Sequence, residues 1–200
     1  MVHCGAGFSL RGILVPLAGK RAEARPTFAM RLFTAIEIPD EVRSALRAVL
    51  AYLRPLANLR WSPVENLHIT TKFIGEWPEA RVAELRSALR QVAMAPIEIA
   101  IRGLGWFPNQ KRPRVFYAGV ESPPELGALA VATERALASI GVPVEDRPYR
   151  PHLTLARVKD TAPLNALNNA IANLPGTGFG SFRAVSQHLY LSAGGKYSLL

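Results

Sequence analysis

The stretch "RPYRPHLTLAR", residues 147 to 157, places a histidine directly after a proline, in a segment whose leucines are typical of a buried strand. Side chains of a strand point alternately to its two faces, so Leu153 and Leu155 share one face while His152 and Thr154 share the other. Taken alone, the stretch favours a structural histidine packed in the core. A chemical role for His152 needs a second observation elsewhere in the chain.

That observation is a second copy of the pattern in "NLHITTKFIG", residues 66 to 75. His68 and Thr70 again share one face of a strand. The opposite face is formed by Ile69, Thr71 and Phe73. Two of the four histidines are thus followed two residues later by threonine, which chance gives roughly once in a hundred such chains. The repeat predicts two matched strands, each with a packing face and a polar face.

From Met30 onward, strand patterns alternate with helix patterns. Alternating β-branched and aromatic residues predict strands, and apolar residues every three or four positions predict amphipathic helices. The predicted strands are 31 to 38, 66 to 75, 97 to 107, 114 to 120, 149 to 158 and 182 to 192, and the predicted helices are 40 to 53, 78 to 93, 124 to 141 and 163 to 174. Because no low-complexity linker interrupts them, the chain is predicted to be an α+β protein with one domain over residues 30 to 200.

Composition limits the setting and the partners. Residues 1 to 29 hold one acidic residue and little periodicity, so they are interpreted as an N-terminal extension, either disordered or the product of an upstream start. The single cysteine, Cys4, excludes an internal disulfide framework and favours a cytoplasmic protein. No run of apolar residues is long enough to predict a membrane span. The 24 Lys and Arg against 15 acidic residues suggest a polyanionic partner, although an Arg- and Ala-rich composition that reflects a GC-rich genome accounts for them equally well.

Two such strands side by side would form a cleft suited to phosphodiester chemistry. Imidazole titrates near neutrality, so one neutral histidine takes a proton from water while a protonated one gives a proton to the departing alkoxide. Neither role needs a metal or another cofactor. The threonine hydroxyls would donate to phosphate oxygens, and nearby cations would offset the charge of the transition state. Lys72 lies on the His68 face by strand parity and is a candidate substrate contact, whereas Arg157 has the opposite parity from His152.

Four stretches together resemble the 2H phosphoesterase superfamily, and most closely its bacterial 2′-5′ RNA ligase branch, also described as RNA 2′,3′-cyclic phosphodiesterase. They are "RLFTAIEIP" (31 to 39), "NLHITTKFIGE" (66 to 76), "GLGWFPN" with "RPRVFYAGV" (103 to 109 and 112 to 120) and "RPYRPHLTLARV" (147 to 158). The resemblance implies a bilobal α+β fold, in which two pseudo-symmetric lobes of mainly antiparallel sheet with outer helices enclose a central groove. It also implies metal-free opening of a terminal 2′,3′-cyclic phosphate to a 2′-phosphate, with reversible 2′-5′ ligation.

Carried over residue by residue, the resemblance makes His68 and His152 the catalytic pair, with His68 as acid and His152 as base. It makes Thr70 and Thr154 phosphate ligands, and it adds Arg157 as a phosphate ligand despite its parity. The implied partner is RNA that ends in a 2′,3′-cyclic phosphate, with tRNA fragments as one source, bound by a monomer. Two departures from the family are an apolar residue replaced by Thr71 and a C-terminal segment, "LYLSAGGKYSLL", that is shorter than usual.

Two alternatives stay open: a non-catalytic RNA-binding module of the same fold, and a related esterase acting on a small cyclic nucleotide phosphate such as ADP-ribose 1″,2″-cyclic phosphate. His3 and His188 lack a threonine two residues on and are interpreted as incidental. Two further sets of residues have both structural and RNA-binding interpretations. They are the aromatic residues Trp61, Phe107 and Tyr149, and the basic turn residues Lys111, Arg112 and Arg114.

Overall fold

The computed structural model describes residues 29 to 159 and 163 to 200. The strands over these residues are β1 (Ala29–Glu37), β2 (Arg60–Trp61), β3 (His68–Pro78), β4 (Ile97–Phe107), β5 (Val115–Glu121), β6 (His152–Arg157), β7 (Gly178–Ala184), β8 (His188–Ala193) and β9 (Lys196–Leu199). The helices are α1 (Asp40–Leu53), α2 (Val82–Arg90), α3 (Pro124–Ala138) and α4 (Asn165–Ala172). The predictions for the extension 1 to 29 lie outside the described residues, except at Ala29, which begins β1.

All strand pairs are antiparallel and join into one sheet with the order β7-β4-β5-β6-β3-β1-β8-β9, with β2 paired to β6. The two H-x-T strands, β3 and β6, are neighbours at its centre. Outward from β6 the order is β5, β4, β7, and outward from β3 it is β1, β8, β9. This arrangement confirms the α+β fold with two related halves, and it places both motifs at the junction.

The helices cover one face of the sheet and leave the motifs on the other. Helix α1 buries Val42, Leu46 and Leu50 against the β4 to β7 half, at the spacing that the sequence predicts. Helices α2 and α3 cover the other half in a second cluster of buried apolar side chains, among them Leu85 and Leu137. A fully buried leucine stabilises the fold by about 1.5 to 3 kcal/mol. Helix α3 contributes to both clusters, with Leu126 in the first and Leu137 in the second. None of the helices in the described residues is long and apolar enough to cross a membrane.

The C-terminal part of the sequence prediction is wrong in one respect. The stretch 182 to 192 is divided between β7, which pairs with β4, and β8, which pairs with β1 in the other half of the sheet. The chain leaves the sheet at Val185, whose side chain is 65% exposed. Each half of the stretch has strand character, and periodicity does not reveal that the two halves pair with different neighbours.

Strand β9 escapes the sequence prediction because it is only four residues long and all four are exposed. It follows a two-residue loop of Gly194 and Gly195, which both have positive φ, between the paired residues Ala193 and Lys196. Such a loop matches the right-handed twist of a hairpin, and glycine adopts it without steric cost. The C-terminal segment is therefore a hairpin of β8 and β9, in which β8 pairs with β1 and β9 forms the edge of the sheet.

Candidate active site

The open face of the sheet brings both H-x-T motifs together. Strands β3 and β6 pair through Ile69 and Leu153, which are both fully buried. The histidine and threonine of each motif flank this buried residue and project to the opposite face. Carrying the antiparallel register outward from the Ile69–Leu153 pair places His68 across from Thr154 and Thr70 across from His152. The pairing forms a groove with an imidazole and a hydroxyl on each wall.

Both imidazole rings are held in the same way. Nδ1 of His68 lies 2.7 Å from the carbonyl oxygen of Asn66, and Nδ1 of His152 lies 2.8 Å from that of Arg150. A carbonyl oxygen only accepts, so Nδ1 carries the hydrogen in both rings and Nε2 is left for proton exchange. In the first motif, Nε2 of His68 is 3.1 Å from Oγ1 of Thr70.

Aromatic side chains surround each histidine. Phe33 of β1 stacks on His68 with ring centroids 4.7 Å apart, and Tyr197 of β9 meets the ring edge-on at 5.1 Å. Phe107 and Tyr117, from β4 and β5, meet His152 edge-on at 5.0 and 5.8 Å. These walls restrict water around both rings and limit their rotation.

Burial lowers the pKa of both histidines because it disfavours the charged imidazolium. For His68, the hydrogen bond to the Asn66 carbonyl opposes this shift, and repulsion from His152 adds to it. For His152, the hydrogen bond to the Arg150 carbonyl opposes the shift, and the positive charge of Arg157 adds to it. The pKa of each histidine therefore depends on charge in the opposite wall or at the end of the groove.

A family model described as LigT like phosphoesterase matches residues 36 to 117 and 119 to 191. Each matched segment contains one of the two H-x-T strands. The chain belongs to the LigT-like phosphoesterase family.

Several relatives in this family carry the name RNA 2′,3′-cyclic phosphodiesterase. That of Archaeoglobus fulgidus is 36% identical over 134 residues, which are 67% of this chain and 76% of the relative. That of Thermus thermophilus is 37% identical over 141 residues, which are 67% of this chain and 71% of the relative. The crystal structure of Escherichia coli LigT complexed with 3′-AMP aligns with a TM-score of 0.71 and 26% identity, covering 86% of this chain and 95% of that chain.

In this LigT-like phosphoesterase, a β-bulge determines where Arg157 lies. Strand β6 pairs Thr154 with Tyr117 but Ala156 with Phe116, so Leu155 is an extra residue between them. Leu155 and Ala156 are both buried, and the alternation is reversed after Thr154. Arg157 thereby returns to the face of His152, where its charge lowers the pKa of that histidine. The parity objection to Arg157 is wrong because it assumes a regular strand.

A matching bulge in β3 places Lys72 away from the groove. Ala35 pairs with Thr70 and Thr34 with Lys72, so Thr71 is the extra residue. The side chain of Lys72 is 2% exposed, and its Nζ lies 2.7 Å from Glu134 Oε1. It also donates to the carbonyl oxygen of Pro143 at 2.8 Å. The expectation that Lys72 lies on the His68 face is wrong, because the bulge turns its side chain toward α3 and the segment that follows.

The same bulge brings Phe73 to the groove face, at the position that corresponds to Arg157 in the other motif. Sequence parity assigned Phe73 to the packing face, yet 43% of it is exposed. The guanidinium of Arg31 lies 5.1 Å from the centroid of its ring, in a cation-π contact. The two equivalent positions therefore differ, with a guanidinium at Arg157 and, in the first motif strand, an aromatic ring that Arg31 covers.

Thr71 is accommodated by a buried chain of hydrogen bonds. Its Oγ1 lies 2.7 Å from Oγ1 of Thr34 and donates to Oε1 of Gln187 at 2.8 Å. The amide of Gln187 donates in turn to Oγ1 of Thr133 on α3. The polar replacement that departs from the family is therefore fully hydrogen-bonded, and it lies on the face opposite the histidines.

The other candidates fall into different environments. The hydroxyl of Tyr149 donates to the carbonyl oxygen of Thr70 at 3.0 Å, and burial raises the pKa of Tyr149. Tyr149 therefore stabilises the backbone of the first motif. Trp61 packs edge-on against buried Phe116 and is a half-buried residue at the edge of the core. Phe107 forms part of the groove wall. His188 bonds to the neighbouring Ser186 and His3 lies outside the described residues.

Sequence reasoning missed the aromatic side chains that complete the site. Phe33, Tyr117 and Tyr197 come from three strands that lack a chemical motif, and each resembles an ordinary core or surface residue in the sequence. Tyr197 reaches His68 because Asn66 donates to the carbonyl oxygen of Gly195 at 2.8 Å, which holds the C-terminal hairpin against the first motif. A signal was present in the Gly194-Gly195 pair, which is typical of a hairpin turn.

Proposed function

We propose that this chain is an RNA 2′,3′-cyclic phosphodiesterase that opens a terminal cyclic phosphate to a 2′-phosphate by acid and base catalysis with two histidines. The observation that carries the proposal is the matched pair of imidazoles. Each has Nδ1 fixed by a backbone carbonyl, and each has Nε2 left on the shared groove. The names of the relatives support the substrate class.

In this mechanism, His152 is the base and His68 is the acid. The charge of Arg157 favours the neutral form of His152, which suits a base. Nε2 of His152 takes a proton from water as the water oxygen bonds to phosphorus. The bond from phosphorus to the ribose 3′ oxygen breaks, and protonated His68 gives its proton to that oxygen. Proton exchange with solvent then restores both histidines.

The hydroxyls and the cation bind the phosphate through this step. Thr70 and Thr154 donate to its non-bridging oxygens, which gain negative charge in the transition state. Arg157 offsets that charge from the end of β6. Donors that are already in place stabilise the transition state without a cost for reorganisation. The same ring opening, with the 5′ hydroxyl of a second RNA in place of water, would form a 2′-5′ linkage as the 3′ oxygen leaves.

The test uses a short RNA that ends in a 2′,3′-cyclic phosphate, with EDTA present and the product analysed by phosphorus NMR. We expect turnover to a 2′-phosphate. His68→Ala and His152→Ala should each reduce kcat by about 10²-fold or more, while both variants still bind the product. A 3′-phosphate product would refute the proposed leaving group. Activity only after addition of a divalent metal, or full activity of either variant, would refute the two-histidine mechanism, and RNA binding without turnover would favour the binding-module alternative.

A further inference from the structure

Two arginines face each other at the end of the groove. Arg60 of β2 is the direct antiparallel partner of Arg157 of β6, and both are exposed. Directly opposite side chains lie on the same face, and like charges there destabilise the pair. Across residues 29 to 159 and 163 to 200, neither arginine has an ion-pair partner within 4.0 Å. The fold gains nothing from this pairing, and an anion bound between the two would relieve the repulsion.

The positive charge continues onto the turn between β4 and β5. Val115 pairs with Arg157, and the carbonyl oxygen of Arg114 accepts from the backbone N–H of Val158 at 2.9 Å, so the turn lies directly beyond the groove. Lys111, Arg112 and Arg114 are all exposed there.

The turn has a fixed conformation near its tip. The side-chain oxygen of Asn109 accepts from the backbone N–H groups of Lys111 and Arg112 at 3.0 and 3.1 Å. Such a bond is typical of an Asx turn, which orders the backbone locally. The tip of the turn is thus positioned beside the groove, which suits a binding surface better than a freely moving loop does.

We propose that Arg60, Lys111, Arg112 and Arg114, here called the basic rim, bind the phosphates of the RNA strand next to its cyclic end. This inference rests on the proposed function, since it extends the same substrate away from the reacting phosphate. Arg157 lies between Arg60 and the turn, so RNA leaving the groove at this end meets the basic rim first. Contacts to phosphates are independent of sequence, and they raise affinity for longer RNA without acting on the reaction itself.

The experiment compares two substrates and two variants. The substrates are a 2′,3′-cyclic mononucleotide, which is too short to reach the basic rim, and an RNA of about ten nucleotides with the same cyclic end. Arg112→Ala with Arg114→Ala removes two charges from the rim. The matched control, Arg86→Ala with Arg90→Ala, removes two charges from exposed positions on α2, which covers the opposite face of the sheet.

We expect the rim variant to have a lower kcat/KM on the long RNA because its KM rises while kcat is unchanged. Its activity on the mononucleotide should match the wild type. Two lost phosphate contacts reduce the salt slope by about 1.4, so the wild type should lose roughly sevenfold more affinity than the variant between about 50 and 200 mM salt. Fluorescence anisotropy with a labelled RNA of the same length that ends in a 2′-phosphate measures this slope directly, without turnover.

Three results would overturn the basic rim. The control variant would lose as much as the rim variant if overall charge were responsible. Equal losses of kcat/KM on both substrates would mean that the turn affects the reacting phosphate in the groove. Unchanged RNA binding by the rim variant would mean that the basic turn contacts another partner or only solvent. Absence of wild-type turnover on both substrates would refute the proposed function, while the anisotropy measurement would still test the rim.

Discussion

Lys72→Met would separate a structural lysine from a substrate contact. The change keeps the length of the aliphatic stem and removes the ammonium that binds Glu134 and the carbonyl oxygen of Pro143. These two bonds join the first motif strand to α3 and to the segment that leads to the second motif. Because the Lys72 side chain points away from the groove, the expected effect is on stability.

The magnitude follows from the two bonds. A hydrogen bond to a charged group contributes about 1.5 to 3 kcal/mol, and Lys72 makes two. The Glu134 side chain is 25% exposed, so solvent weakens that bond and we place the total near 3 kcal/mol. For a chain of this size, the melting temperature should fall by about 6 to 12 °C.

The assay is urea unfolding followed by tryptophan fluorescence, with Lys111→Met as a control at an exposed site. The control should stay within about 0.5 kcal/mol of the wild type. Lys72 lowers the pKa of Glu134 below the usual 4.5, so the part of the stability that depends on this carboxylate is present above pH 4.5. This contribution is lost as the pH falls through the lowered pKa of Glu134 in the folded state. The difference in free energy of unfolding between wild type and Lys72→Met should therefore shrink in that pH range.

Kinetics on a 2′,3′-cyclic mononucleotide complete the test, at a temperature at which both proteins are folded. We expect kcat and KM of Lys72→Met to match the wild type. An unchanged free energy of unfolding together with a raised KM would refute the structural role, and it would return Lys72 to the groove.

Three further predictions concern the histidines and the buried hydroxyl. Arg157→Gln should move the pH profile of the residual activity to higher pH, because the lost charge lets the pKa of His152 rise. Tyr197→Ala should shift the part of the pH-rate profile that depends on His68 to higher pH as well. Water then reaches the His68 ring and favours its charged form, so the pKa of His68 rises. Thr71→Val should lower the free energy of unfolding by about 1 to 3 kcal/mol without changing kcat, since its two buried hydrogen-bond partners lose a bond.

Two of these predictions have a control within the chain. Tyr197→Phe keeps the ring over His68, so its pH profile should match the wild type; a shift as large as that of the alanine variant would assign the effect to the hydroxyl. Thr34→Val combined with Thr71→Val removes both hydroxyls of one bond, and its effect should be smaller than the sum of the single changes. Movement of the Arg157→Gln profile to lower pH would contradict the electrostatic argument.

The sequence alone was sufficient for the two motifs and for most of the elements around them. Strand alternation separates His68 and Thr70 from Ile69, and this rule depends only on neighbouring residues. The spacing of apolar residues in α1 is equally local, and its bounds, Asp40–Leu53, agree with the predicted helix. Such features are encoded within one segment, so they are legible without knowledge of its partners.

Tertiary structure alone decided the positions of Arg157, Lys72 and Phe73. A bulge arises when one strand has one more residue than its partner between two pairs, so it depends on both strands. The extra residues, Thr71 and Leu155, look regular in the sequence, yet each reverses the alternation that follows it. The same dependence on partner strands explains why the sequence pattern predicts one strand over 182 to 192 where the structure has β7 and β8.

The sequence therefore determined which residues are proposed to carry the chemistry, because the H-x-T pattern is repeated along the chain. The structure determined the surroundings of those residues: the aromatic walls, the position of Arg157 on the His152 face and the hairpin that brings Tyr197 to His68. The physical reason is that a side chain's direction follows from its own strand, whereas its neighbours come from strands far apart in the sequence.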